Sequence, residues 1–274
     1  MKPLFIGGAG ISEYYNSSSS CNELNNTLYV VARKNLKFAN FKVKRALYKA
    51  WVSMPLLKIY WFALRNKNQY DIIHIHSIYG VCYIMPFKHK VVEFHGDDIR
   101  KAPSMYWRIK PLRAKLFAKC FGFRNKVYVS TPDLLSEVPG SVWLPNIVDT
   151  EHFKPMPEIQ RNPVGALYCS MWYEDGSHAK DFVTKHNLCL TVLERDKNAW
   201  VDHRKFPAYL NQFTYYIDRK EIHSLSKTAL EALACGLKVV DWQGNVVTGL
   251  PSCHKPEVVA KQSIKIYEDV LKHE

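Results

Sequence analysis

Four stretches of this chain place polar side chains where strands end: YDIIHIHS (70–77), VVEFHGDDIR (91–100), LPNIVDTEHFKP (144–155) and SKTALEALACGLKVV (226–240). In the last, Ser226, Lys227 and Thr228 open a helical pattern. Free backbone N–H groups and the positive end of a helix dipole at that point suit a diphosphate. Glu231, one turn on, is a carboxylate able to accept two hydroxyl hydrogen bonds, as the acidic residue of dinucleotide folds does from a ribose. Gly236 falls where a helix needs its left-handed C′ residue. In the second stretch His95 follows a strand directly. Asp97 and Asp98 come next, and either could accept a ligand hydroxyl.

Two other patterns suggest chemistry that the spacing does not sustain. His74 and His76 share one face of a strand, an invitation to a metal ion, but no third ligand stands at suitable spacing. GGAGIS (7–12) offers Gly8 and Gly10 for close backbone approach to a substrate. A dinucleotide fingerprint would need a glycine at position 13, which is Glu13, so no nicotinamide cofactor is expected.

The elements needed to hold these groups alternate. Strands are expected at 3–8, 28–32, 71–76, 90–94, 127–130 and 141–145, with helices over 41–66 and 104–121. After Pro155 strands are expected at 165–170, 188–193, 214–218 and 237–242. Helices are expected near 177–185 and at 206–213, 226–235 and 256–273. Strand–helix alternation implies parallel sheets covered on both faces. The reading is α/β, two Rossmann-like domains facing a cleft, the second one small: 1–149, 150–255, and a C-terminal helix 256–274 that could pack back on the first domain. Ligands in such sheets bind at the strands' carboxyl ends.

Charge divides the chain the same way. Residues 1–150 hold 22 Lys and Arg against 9 Asp and Glu, the whole formal charge of +13, whereas residues 151–274 hold 16 of each. Trp51, Trp61, Phe62, Trp107 and Phe117 interleave with basic residues in two amphipathic segments, 41–65 and 104–121, as an interfacial helix requires. An anionic membrane surface is therefore an expected partner of the first half, through peripheral association. The apolar run 50–64 contains Lys58 and Pro55 and is shorter than the roughly 20 residues a span needs. No nucleic-acid-binding motif accompanies the basic charge. Seven cysteines without a CxxC pair suggest buried reduced thiols. With an N-terminal apolar run too short for a signal peptide, a cytoplasmic protein is expected.

Taken in order, the four stretches resemble the retaining glycosyltransferases of GT-B fold, the large family-4 type. SKTALEALACGLKVV is similar to the family's donor-binding helix, which places Glu231 on the donor nucleotide. The resemblance implies a second acid eight residues earlier. That position is His223, with Glu221 two residues further back. It also implies an Arg and a Lys clamping the donor diphosphate after the first strand of the second domain. CSMWYEDG has no Arg there, Lys180 is the candidate Lys, and Arg219 or Lys220 could supply the missing charge. His95 matches the His that lies near the transferred sugar. In LPNIVDTEHFKP, Asp149, Phe153 and Pro155 match the interdomain segment, with Ile147 in place of a glycine. No DxD motif is present, which the resemblance reads as metal independence.

The resemblance thus implies transfer of a sugar from a nucleotide sugar, with retention, to a lipid-linked sugar, glycan or glycoprotein. His95, Glu231 and Lys180 would carry the reaction. Gly8, Gly10, Arg219, Lys220, Glu221, His223, Ser226, Lys227 and Thr228 would line the donor, and Asp97 and Asp98 the acceptor. No cofactor or metal is expected. A non-catalytic scaffold binding glycan or a partner protein, or a nucleotide-sugar epimerase of the same fold, remains the alternative.

Overall fold

The structure is a computed structural model that describes residues 3–6, 72–76, 89–96, 126–170, 175–194, 201–202 and 204–272. The chain divides into two compact units, Met1–Asn146 with Glu257–Glu274, and Ile147–Pro256.

In the first unit the described strands are β1 (Pro3–Ile6), β2 (Ile72–His76), β3 (His89–Phe94), β4 (Lys126–Val129) and β5 (Val142–Trp143). They pair in that order and all in parallel. The buried run Val91, Val92, Glu93 and Phe94 is covered on both faces, the pattern of a parallel strand flanked by helices. A 3₁₀ turn, Pro132–Leu135, follows β4 and buries Leu134. The first unit also holds almost all of α4 (Pro256–Lys272), defined here ahead of its place in the chain. Its buried Val259, Tyr267 and Val270 recur at helical spacing. Tyr267 is 3% exposed, and burial with the charge of Glu93 holds its hydroxyl well above the usual tyrosine range. Burial, with Asp269 adding to it, pushes the Tyr128 hydroxyl the same way. Those influences place α4 beside β3 and β4.

The second unit holds β6 (Asn162–Ser170), α1 (Ser177–Lys185), β7 (Cys189–Glu194), α2 (Phe206–Leu210), β8 (Phe213–Ile217), α3 (Lys227–Ala234), β9 (Lys238–Val240) and β10 (Val246–Val247). Its sheet runs β10-β9-β8-β6-β7, parallel except for β10. The order departs from the sequence between β6 and β8, so the chain leaves β6 toward one edge and β8 toward the other. Right-handed crossovers then put the two outgoing helices on opposite faces. Packing agrees. Ala166 and Tyr168 of β6 meet Ala179 and Val183 of α1, while Leu167 and Cys169 meet α2 and α3 through Phe206, Leu210, Leu230 and Leu233.

Three local features depart from the expectations. Helix α2 stops at Leu210, not 213, because Asn211 turns its side-chain amide onto Pro207 O at 2.9 Å and Lys154 O at 3.0 Å. The hairpin to β10 is unexpected, and it turns on Gly244 at φ 87 with Asp241 Oδ1 taking the N–H groups of Gln243 and Asn245. Cys189 is exposed rather than buried, since β7 is an edge strand, whereas Cys169 and Cys235 are buried. The expected strand 28–32 and helices 41–66 and 104–121 lie outside the described residues. Among the described residues no helix is long and apolar enough to cross a membrane.

Candidate functional site

The break in strand order puts a crevice at the carboxyl ends of β6 and β8, where open α/β sheets take ligands. Four segments of the second unit converge there: the end of β6, the first turn of α1, the residues after β8, and the first turns of α3.

Helix α3 is fixed at both ends by its own sequence. Ser226 sits in extended conformation at the N-cap and its Oγ accepts the N–H of Ala229 at 3.1 Å. At the other end Gly236, at φ 83, donates to Leu233 O and Leu237 donates to Ala232 O, both at 3.0 Å. This is the paired closure that a left-handed C′ glycine permits. Arg161 adds hydrogen bonds to Cys235 O, to Gly236 O at 2.8 Å and to Asn211 Oδ1 at 2.8 Å. A cation at this helix end also suits the dipole.

Between those ends, Ala229 to Leu233 are all buried, and Glu231 is among them at 4% exposed. Its Oε1 has no hydrogen-bond partner among the described residues. Burial raises its carboxyl to about 7, with Lys227 opposing and Asp149 adding to the rise. Asp149 itself heads the turn into Phe153, with Oδ1 accepting from Glu151 and His152 N–H at 3.1 Å. Neither Asn146 nor Ile147 takes a left-handed angle, so this segment turns without the glycine that the resemblance implied.

After β8 comes Asp218, which the sequence reading did not single out. It is 1% exposed. Its N–H donates to Val240 O at 2.9 Å, its carbonyl lies 2.9 Å from His178 Nε2, and its Oδ2 accepts the Ser226 N–H at 2.7 Å. Oδ1 has no partner among the described residues. Burial raises this carboxyl, with hydrogen bonds from Ser226 opposing. Burial pushes the Cys169 thiol to about 12, and the charges of Asp218, Glu231 and Arg219 all bear on it. Tyr216, fully buried, lies beside Cys169 and Ser226, so buried polar groups line the way from the end of β6 to the N-cap of α3.

His178, also absent from the sequence reading, stands in the first turn of α1 with its ring edge-on to Tyr168 at 5.2 Å. At the α1 terminus Asp175 Oδ1 accepts the Ser177 N–H at 2.9 Å, a bond that holds its carboxyl below the usual range. A carboxylate thus meets the N-terminal end of both helices, Asp175 at α1 and Asp218 at α3.

The remaining expected site residues fall as follows. Ser226 is buried, and Arg219, Lys227 and Thr228 are half-buried, all in the segment that runs from the end of β8 into α3. Lys220, Glu221 and His223 are exposed on the loop between Asp218 and Ser226. Lys180 is exposed on α1, near enough to Asp175 to lower its carboxyl further. His95 lies in the first unit, half-buried at the carboxyl end of β3, with Nε2 3.9 Å from Glu93 Oε1. Gly8, Gly10, Asp97 and Asp98 lie outside the described residues. Among the described residues no group of three His, Cys, Asp or Glu side chains could hold a metal ion.

No family model and no curated protein matches the chain. Solved structures do. A sucrose-phosphate synthase from Thermosynechococcus elongatus is similar at 12% identity and TM-score 0.55, over 99% of this chain and 95% of that one. An alpha-glucosyltransferase, in complex with UDP-glucose and DNA containing an abasic site, is similar at 12% identity and TM-score 0.50, over 99% and 93%. Two parallel-sheet units, matched along nearly the whole chain by these two enzymes, give this protein the GT-B glycosyltransferase fold.

Proposed function

We propose that the protein is a glycosyltransferase whose second unit binds a nucleotide sugar. The observation that carries this is Glu231: a buried carboxylate with an open oxygen, at the crevice and beside a helix end able to take a diphosphate. Hydroxyl donors of a ribose would satisfy that oxygen. The α3 N–H groups, Lys227 and Arg219 would stabilise the diphosphate as the bond from the sugar's anomeric carbon to its phosphate oxygen breaks. A bond from that carbon to an acceptor oxygen forms, and the acceptor hydroxyl's proton passes to the departing phosphate oxygen or to solvent. Retention of configuration, independence of metal, and roles for His95 and Lys180 are parts of the same proposal. Both structural neighbours support transfer of a sugar, and one is bound to UDP-glucose. Peripheral attachment through the basic first half, with a lipid-linked or glycan acceptor, is proposed on charge alone.

Thermal shift against UDP, GDP, ADP and their sugar conjugates tests the reading. A ligand at about 100 times its dissociation constant adds about 2.7 kcal/mol. One nucleotide class should raise the midpoint by several degrees, and Glu231→Ala should abolish the rise. No shift with any of them counts against a nucleotide-sugar site. A non-catalytic scaffold draws support from the acid-capped α1 terminus and the exposed Lys180. Sugar binding without release of nucleoside diphosphate, across a panel of acceptors, would favour it.

A further inference from the structure

Asp218 is tied more widely than a loop residue needs to be. Through its N–H, carbonyl and Oδ2 it joins β9, α1 and the N-cap of α3 at the one place where the strand order breaks. Those bonds use one carboxylate oxygen. The other, Oδ1, is buried and unpartnered, and so is Glu231 Oε1. Both carboxylates bear on the same buried thiol, Cys169, from the end of β8 and from α3. An ionised carboxylate oxygen can only accept, and a buried acceptor without a partner is costly. Two such oxygens around one crevice match a ligand with several hydroxyl donors.

We propose that Asp218 is a second hydroxyl-accepting and positioning residue of this site. Its Oδ2 sets the α3 terminus in register with the crevice, and its Oδ1 accepts a ligand hydroxyl beside Glu231. The inference rests on the nucleotide-sugar reading above. It assigns the position to a buried residue, thirteen before Glu231, while Glu221 and His223 stand exposed.

The Asp218→Asn variant separates the two roles. Its amide oxygen still accepts the Ser226 N–H, but an NH2 donor replaces the open acceptor. Calorimetry with two probes reads the difference: the nucleotide sugar selected by thermal shift, and inorganic pyrophosphate, which lacks hydroxyl groups. The expected result is pyrophosphate affinity within twofold of wild type and nucleotide-sugar affinity at least tenfold weaker. In Asp218→Ala, both weaken. Nucleotide-sugar affinity unchanged in Asp218→Asn overturns the proposal alone. Wild-type protein that binds pyrophosphate but no nucleotide sugar overturns the underlying reading as well.

If Asp218→Asn does not fold, pH supplies the test in Glu231→Gln. The titratable groups around Asp218 are Cys169, Tyr216, Arg219 and His178. Burial raises the Asp218 carboxyl, so its ionisation to an acceptor makes nucleotide-sugar affinity rise with pH. A flat or falling profile overturns the proposal.

Discussion

Glu231 places opposite demands on stability and on binding. Burial raises its carboxyl from 4.5 to about 7, so the fold favours the protonated form. The stability this contributes is fully present below pH 4.5 and is lost as pH rises through 7. Glu231→Gln keeps the shape without the charge. It should therefore match wild type near pH 4.5 and gain on it above pH 7, by about 3 kcal/mol at most. Midpoints of the two proteins measured from pH 4.5 to 8 check this. Parallel curves would mean that the carboxyl titrates normally. The helix that carries Glu231 was legible in the sequence because it has its own punctuation, Ser226 before it and Gly236 after it. Asp218 and His178 were not. Their contact spans 40 residues and exists because β8 lies beside β6, with β7 outside. Hydrophobic periodicity reports which face of a strand is buried and is silent on which strand is its neighbour.

Helix α3 can hold a charged group inside the unit because its ends are closed independently of its middle. Gly236→Ala forces a left-handed angle on a residue with a Cβ, at about 1 kcal/mol, and that Cβ meets Pro155 Cγ only at 3.4 Å. Arg161→Ala should cost more, about 2–3 kcal/mol, because it strips partners from two carbonyls and from Asn211, which is fully buried. Urea titration of the two variants ranks them. If Gly236→Ala is the more damaging, the backbone turn and not the guanidinium closes the helix. The glycine was readable from position alone, whereas Arg161 acts 74 and 75 residues away through a side chain. The β10 hairpin escaped notice because its strands are three and two residues long, below the length at which alternation shows.

At the scale of the molecule, the parallel α/β architecture was legible from strand–helix alternation. The division lies at Asn146 and Ile147, and α4 from Glu257 onward returns to the first unit. Two groups named from the resemblance, His95 and Glu231, therefore sit in different units. Tyr267→Ala should remove 3–5 kcal/mol, roughly, from the first unit. Scanning calorimetry should then show one transition lowered and a second, the one raised by nucleoside diphosphate, unmoved. Both falling together would mean that the units melt as one body. The acid-capped end of α1 has one more consequence. Because α1 and α3 lie on opposite faces of the sheet and a carboxylate accepts at the N-terminal end of each, neither helix end offers an unopposed positive pole, and the balance of charge at this edge of the unit falls to side chains such as Arg219 and Lys227.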